Sequence, residues 1–343
     1  LQRDYPNEKL TGFFYDPNIH PYSEYKLRLL DVARSCKKLG IDLLEGPYDY
    51  QNWIEAVRGL EKEPEKGARC EVCFDKRFLV SANKALELKE ETFTTTLLVS
   101  PLKSQQQLKN AGADFEAKYG VKFIAPDYRS GGGTQDQARV TKEQQLYRQD
   151  YCGCIYGLTM QRKQQHKLLD ELFSPLNGDI LPASIEERLE LYSYREELEQ
   201  QNIPYKIIKQ KFLNYRQLRC KLTGAKQEFI DSYALVYSTL PRKKAQGRIE
   251  FSAHEIHYFN RDEIKFITLE FFNKYNNTNY KNIKELVYKP LSYEKEILFR
   301  KELTDQEYDL SPILVVSKIP QSKLTLELHA EVYEDTKEKL IVI

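Results

Sequence analysis

The sequence predicts an α/β fold: a mainly parallel, Rossmann-like sheet with flanking helices, followed by a helical segment and a β-rich C-terminal extension. Three observations carry that prediction. From residue 11 to about 160, short apolar or β-branched runs alternate with segments of helical period, as in strands joined by crossover helices. Residues 161–235 read as helical, opened by the polar run Gln161-Arg162-Lys163-Gln164-Gln165. From about 236 the texture changes, and residues 248–258 and 324–332 alternate as half-buried strands do. The expected division is an α/β catalytic domain over 1–160, a helical, basic segment over 161–235 and the β-rich extension over 236–343.

Taken in order, Phe13-Phe14-Tyr15 forms the first strand and Asp16-Pro17-Asn18 its turn. Residues 25–39 form a helix, because Leu29, Leu30, Ala33 and Cys36 recur at helical spacing and Gly40 closes it. Ile41-Asp42-Leu43-Leu44 is the next strand, ended by Gly46-Pro47. Residues 53–60 give a short helix and 74–88 a longer one, with Phe78, Leu79, Ala82 and Ala85 on one face. Residues 93–99 read as a strand, 105–110 and 115–119 as helices, and Val121-Lys122-Phe123-Ile124 as a strand. Sites in such sheets lie beyond the carboxyl ends of the strands, so residues 16–20, 100–103 and 127–133 are expected to converge on one edge. Residues 265–272 fit strand or helix equally.

The net charge is +1, with 30% charged and 41% hydrophobic residues, which suits a solvated surface around a real core. The charge is uneven. Residues 201–250 hold 11 Lys/Arg against three acidic residues, after an acidic stretch over 186–199. Such asymmetry points to a polyanionic partner. No run approaches the roughly 20 apolar residues of a membrane-spanning helix, so no membrane role is expected. The chain starts at Leu1 and enters the apolar segment 11–15 almost at once, so an upstream element is expected to be missing.

Six cysteines are too few for a disulfide scaffold, and their pairing argues for metal or redox use in a reducing cytoplasm. Cys70-Glu71-Val72-Cys73 and Cys152-Gly153-Cys154 each present two thiolates on a short turn. Thiolates are soft ligands suited to zinc or to an iron–sulfur cluster. Zinc ribbons keep their two pairs within a few tens of residues, whereas these pairs bracket much of an α/β domain. A redox disulfide on Cys70 and Cys73 alone leaves Cys152 and Cys154 without a role, though oxidation could join such thiols. Cys36 reads as a helix core residue. Cys220, between Arg219 and Lys221, reads as a surface cysteine with neighbours that favour the thiolate.

At this point the residues resemble a known family, the epoxyqueuosine reductases of the QueH type, the cobalamin-independent class. The resemblance rests on Phe13-Phe14-Tyr15-Asp16-Pro17-Asn18-Ile19-His20-Pro21 with Ser23-Glu24-Tyr25, on Gly67-Ala68-Arg69-Cys70-Glu71-Val72-Cys73, and on residues 93–103, 118–123 and 147–154. It spans residues 11–160 and does not reach past about 185. It implies a [4Fe–4S] cluster beside an additional iron ion, with Cys70, Cys73, Cys152 and Cys154 as metal ligands. The implied reaction removes the epoxide oxygen of epoxyqueuosine in tRNA to give queuosine. The family pattern also opens with a first strand, adjacent cysteines and a nearby Asp serving the metals, and no such element precedes Leu1.

Loss of an epoxide oxygen needs two electrons and protons, so an external electron donor is expected as partner. An iron with an open position would polarise the oxygen while the cluster delivers electrons. Tyr151, Lys103 and His20 are the candidate proton donors, against the plain readings of packing for Tyr151, a solvated or phosphate-binding cation for Lys103 and a turn residue before Pro21 for His20. The substrate base lies in an anticodon loop, where unstacking is cheap. Arg69, Arg148 and Arg139 are candidates for the entrance, and Arg129 with Gly131-Gly132-Gly133 for a phosphate cradle. The stretch from Lys206 to Arg248, with Lys243 and Lys244, is the candidate grip on the tRNA body, against the plain alternative of a solvated helix face. The rival functions are another cluster-dependent tRNA-modifying enzyme and a zinc-stabilised RNA-binding protein.

Overall fold

A computed structural model describes all residues except 3, 101, 102, 131, 174–179, 261–263 and 307. The chain forms two compact units. The first comprises Leu1–Leu172, Arg188–Ile207 and Leu340–Ile343, and the second Phe173–Glu187 and Ile208–Lys339.

In the first unit the elements run β1 (Thr11–Phe14), α1 (Tyr22–Leu39), β2 (Asp42–Glu45), α2 (Tyr50–Ala56), α3 (Ala68–Leu88), β3 (Thr92–Phe93), α4 (Gln105–Tyr119), β4 (Lys122–Phe123), α5 (Gly133–Glu143), α6 (Ile155–Gln164) and α7 (Ile185–Gln200). Strands alternate with helices and pair in parallel, but among the described residues they form two separate pairs, β1–β2 and β3–β4, rather than one sheet. The expected strand over 93–99 stops at Phe93. Thr94 Oγ1 donates to the Ile124 carbonyl, and Thr95 Oγ1 accepts from the Leu97 N–H and starts a 3₁₀ turn over Thr96–Val99. Hydroxyl side chains here give the backbone partners that compete with a ladder.

The expected helices over 105–110 and 115–119 are one helix, capped by Ser104. Gly112 lets it lie against β4: a Cβ there would stand 1.9 Å from the Phe123 ring. Phe74 and Phe78 of α3, Leu98, and Leu108 of α4 close the core between these elements. The α1 face differs from the expected apolar one. The helix buries Glu24, Arg28, Asp31 and Arg34 beside Tyr25 and Leu27.

The second unit holds β5 (Tyr205–Thr223), β6 (Phe229–Ile230), β7 (Ser232–Ala234), β8 (Lys244–Gly247), β9 (Ile249–Ala253), β10 (Ile256–Phe259), β11 (Ile264–Thr268), α8 (Leu269–Asn276), α9 (Ile283–Tyr288), α10 (Tyr293–Thr304), β12 (Ile313–Val316) and β13 (Leu324–Val342). Sheets of order β7-β12-β11-β10-β9 and β6-β5-β13-β8 share a core of Phe259, Phe266, Leu314, Leu324 and Leu326. Helices α8–α10 cover the other face of the five-stranded sheet through Phe272, Leu286 and Phe299.

Residues 205–223 are thus a long strand where a helix was expected. Two of their basic side chains meet acids of β13, Lys211 at 2.8 Å from Glu334 and Arg219 at 2.8 Å from Glu327. Cross-strand charge pairing is invisible in a single segment. The ambiguous residues 265–272 split at Thr268, whose hydroxyl caps α8 by accepting from the Phe271 N–H at 3.1 Å. Cys220 is half-buried against the core rather than at the surface, and burial pushes its thiol up to about 11 instead of lowering it.

Candidate metal centre

Both cysteine pairs sit at helix starts. Cys70 and Cys73 lie in the first two turns of α3, three residues apart and so on one helical face. The Lys66 N–H donates to Cys70 Sγ at 3.3 Å. Cys154 is the residue that opens α6, and the N–H groups of Gly157 and Tyr156 are directed at its sulfur. Free N–H groups at a helix start favour negative charge and offset part of the burial cost of a thiolate at Cys70 and Cys154. Between Cys152 and Cys154 the chain turns through Gly153 at φ +103°, where an added Cβ would lie 2.8 Å from Ile19 Cγ1 and 3.1 Å from Arg28 Nη1.

All four sulfurs line one cavity, together with Trp53, Glu65, Arg69, Arg77 and Lys103. The two pairs, 79 positions apart in sequence, therefore meet in space. Burial pushes the Cys73 thiol up to about 12, with Arg77 opposing and Cys152 adding to the rise. Burial also raises Cys70 and Cys154, against the Lys66 and Gly157 N–H groups respectively. The sulfurs raise one another, as like charges brought together must. Positive side chains compensate from the wall. Lys103 Nζ donates to Cys152 Sγ at 2.9 Å. Burial works against the Lys103 ammonium, but Cys152, Cys70 and Glu65 together outweigh it and the group lies above its ordinary value. Arg77 is held by Asp16. The buried Trp53 indole N–H faces Cys73 as a donor and eases its rise, although it falls short of full hydrogen-bond geometry. Among the described residues, no three His, Cys, Asp or Glu side chains are disposed as ligands of a single ion.

The other candidates are scattered by the fold. Lys103 lines the cavity; Tyr151 and His20 do not. The Tyr151 hydroxyl donates to the His20 carbonyl at 2.8 Å, and the His20 ring stacks on Tyr50 at 4.9 Å. Arg69 lines the cavity as a strut, its Nη1 donating to the carbonyls of Leu60, Glu61 and Glu63. Arg129 donates to the carbonyls of Leu98 and Lys103 at 2.9 and 2.8 Å, which steadies the Lys103 loop. Arg148 is exposed, and Arg139 pairs with Asp136 and Glu143 on α5. Gly133 begins α5; Gly131, like Pro101 and Leu102 of the 93–103 stretch, lies outside the described residues. Lys243, Lys244 and Arg248 are exposed in the second unit, with Lys244 at 3.9 Å from Glu327.

Sequence reasoning missed Trp53, Arg77, Glu65 and Arg28. Arg28 donates to the carbonyls of Tyr151 and Cys152 at 3.0 and 3.2 Å, and its Nε to Glu24 at 2.7 Å. A signal existed for it: Glu24, Arg28 and Asp31 recur at spacings of four and three on one helical face.

Comparison with known proteins gives consistent results. The family model described as epoxyqueuosine reductase QueH matches residues 1–160. The epoxyqueuosine reductase QueH of Helicobacter pylori (strain ATCC 700392 / 26695) is 37% identical over 348 residues, covering 96% of this chain and 93% of that protein. That of Thermotoga maritima is 38% identical over 157 residues, 45% of this chain and 81% of that protein. That of Haemophilus influenzae is 39% identical over 151 residues, 44% and 62% of the two. A solved aminopeptidase from Aneurinibacillus sp. strain AM-1 is similar at a TM-score of only 0.27 and 11% identity, over 49% of this chain and 45% of its own.

Proposed function

This chain belongs to the epoxyqueuosine reductase QueH family, and from that premise we propose that its four converging cysteines hold the metal centre of the reaction. The chain is an oxidoreductase that converts epoxyqueuosine in tRNA to queuosine. The observation that carries the proposal is the meeting of Cys70, Cys73, Cys152 and Cys154 around one cavity.

The residues present suit a thiolate-bound iron centre. Four soft donors outnumber the single carboxylate of Glu65, cations line the wall, and the buried Trp53 N–H stands beside Cys73 without a hydrogen-bonded acceptor. Iron–sulfur centres are anionic and accept hydrogen bonds at sulfur. Four cysteines on one cavity are the donor set that a [4Fe–4S] cluster takes. When bound, a [4Fe–4S] cluster with an additional iron ion supplies single electrons and a Lewis-acid position, reloaded by an external donor.

The protein's own residues do the rest. The Lys103 ammonium neutralises Cys152 and holds a proton at Nζ on the cavity wall. It is therefore our candidate for protonating the departing oxygen, which leaves as water after two electrons and two protons have been delivered. Tyr151 and His20 act as braces in this reading, tying the Cys152 loop to the turn after β1. Arg129 fixes the Lys103 backbone. For the tRNA we assign Lys243, Lys244 and Arg248 as exposed phosphate contacts, with Arg148 as a further exposed cation. No helix among the described residues is long and apolar enough to cross a membrane.

Anaerobic reconstitution tests this reading. The expected product is a brown protein binding at least about four irons per chain and converting epoxyqueuosine-tRNA with a chemical reductant. A colourless protein that retains zinc and binds tRNA without converting it would overturn the assignment.

A further inference from the structure

We infer that residues 144–152 form a support for the Cys152–Cys154 loop, set in place by a buried ionic stripe whose positioning residues are Arg28 of α1 and Arg195 of α7. The inference rests on the metal reading only for why the loop must be fixed. The contacts follow one another along the segment. Arg34 donates to the Gln144 carbonyl at 2.9 Å, and Arg195 to the Gln145 carbonyl at 3.1 Å. The Tyr147 N–H donates to Asp31 at 3.2 Å, and its hydroxyl to Glu24 at 2.9 Å. Arg28 then takes the carbonyls of Tyr151 and Cys152 and lies over the Tyr151 ring at 5.2 Å. Five of these seven contacts are to the backbone of the segment, so the stripe fixes a path more than a set of side chains.

The stripe is closed on itself. Glu24 neutralises Arg28, Arg195 meets Asp31 at 2.8 Å, and Glu199 of α7 pairs with Arg34 at 2.6 Å. Glu24 and Arg195 are fully buried. Ionic groups taken from water contribute little net stability, and apolar residues would fill the same space as well. Directional bonds to chosen carbonyls are what charged side chains add here. The far end of the stripe sits on α7, outside residues 1–160 matched by the family. Residues beyond the matched segment thus help set where Cys152 and Cys154 stand.

The test uses the full-length chain, anaerobic and metal-free, with Arg28→Lys and Arg195→Lys. Each keeps the positive charge opposite its carboxylate and gives up the forked reach to the carbonyls. A short bis-maleimide bridges one cysteine pair to the other, mapped by mass spectrometry. Iron uptake and the unfolding midpoint are read alongside. The expected result for Arg28→Lys is bridging slowed about fivefold, iron uptake reduced in step, and a midpoint within a few degrees of the parent. Arg195→Lys gives a smaller slowing in the same direction, and it decides the matter if Arg28→Lys does not fold. Parental bridging rates in the folded variants overturn the inference. A parent chain that bridges its pairs but binds no iron overturns the metal reading instead and leaves the positioning role supported by the bridging rates.

Discussion

Replacing Gly153 with alanine strikes the Cys152–Cys154 loop at its tightest point. The residue stands at φ +103°, outside the regions open to L-residues, which costs about 1–3 kcal/mol. The new methyl would also stand 2.8 Å from Ile19 Cγ1, 3.1 Å from Arg28 Nη1 and 3.3 Å from Asn18 Nδ2. Overpacking of that kind costs a further ~1–3 kcal/mol. None of the neighbours gives way freely. Ile19 is buried, and Arg28 is bound to Glu24 and to two carbonyls. The combined penalty is about 2–6 kcal/mol, a large part of the 5–15 kcal/mol that holds a typical domain folded. Alternatively the loop shifts, and Cys152 and Cys154 leave their places. Urea unfolding of the metal-free chain and iron content after reconstitution read the two responses. A variant within about 0.5 kcal/mol of the parent, with full iron content, refutes the claim that this turn is fitted to glycine.

Trp53→Phe removes the indole N–H and shrinks a fully buried ring, so the metal-free chain should lose about 1–3 kcal/mol relative to the parent. Redox titration of the loaded protein should show a lower potential, and an unchanged one removes Trp53 from the centre's surroundings. Burial alone would raise the Glu199 carboxyl, but hydrogen bonds from Arg34, Tyr205 and Lys38 hold it down at about 2 against an ordinary 4.5. A lowered carboxyl contributes stability above its unfolded value and loses it as the pH falls through the folded one. Acid unfolding should therefore steepen from about pH 4.5 toward 2, and Glu199→Gln should flatten that part of the curve; overlapping curves would contradict the pairing. Reversing the charge of Lys243, Lys244 and Arg248 together should weaken tRNA binding and make its salt dependence shallower, while unchanged binding removes these residues from the interface.

The four cysteines and Lys103, which line one cavity, were legible in the sequence, because the cysteine pairs are spaced locally and Lys103 follows the Thr/Ser run. Their surroundings were less so. Trp53 reaches the cavity from α2, and only the fold brings it beside Cys73, whereas Arg77 follows Cys73 by one turn of α3, a spacing that was legible and went unread. Arg28 was hidden for a different reason: a charged side chain on a helix usually faces water, and α1 turns that face inward. Local pattern also sufficed for the first strands and for α1 and α3, with boundaries a few residues off the true ones, while it split α4 in two. It failed at residues 205–223. There the alternation of basic and apolar residues belonged to a strand with two of its charges answered by β13, more than a hundred positions away. It failed again at residues 94–99, where threonine hydroxyls ended a strand that hydrophobicity would have continued.

The central claim is that two distant cysteine pairs act as one ligand set. Single Cys→Ser variants at 70, 73, 152 and 154, with Cys36→Ser and Cys220→Ser as controls, put it to the most direct trial. Iron per chain after anaerobic loading should fall in all four and stay at the parental level in both controls. Loss confined to one pair, with the other dispensable, would contradict it.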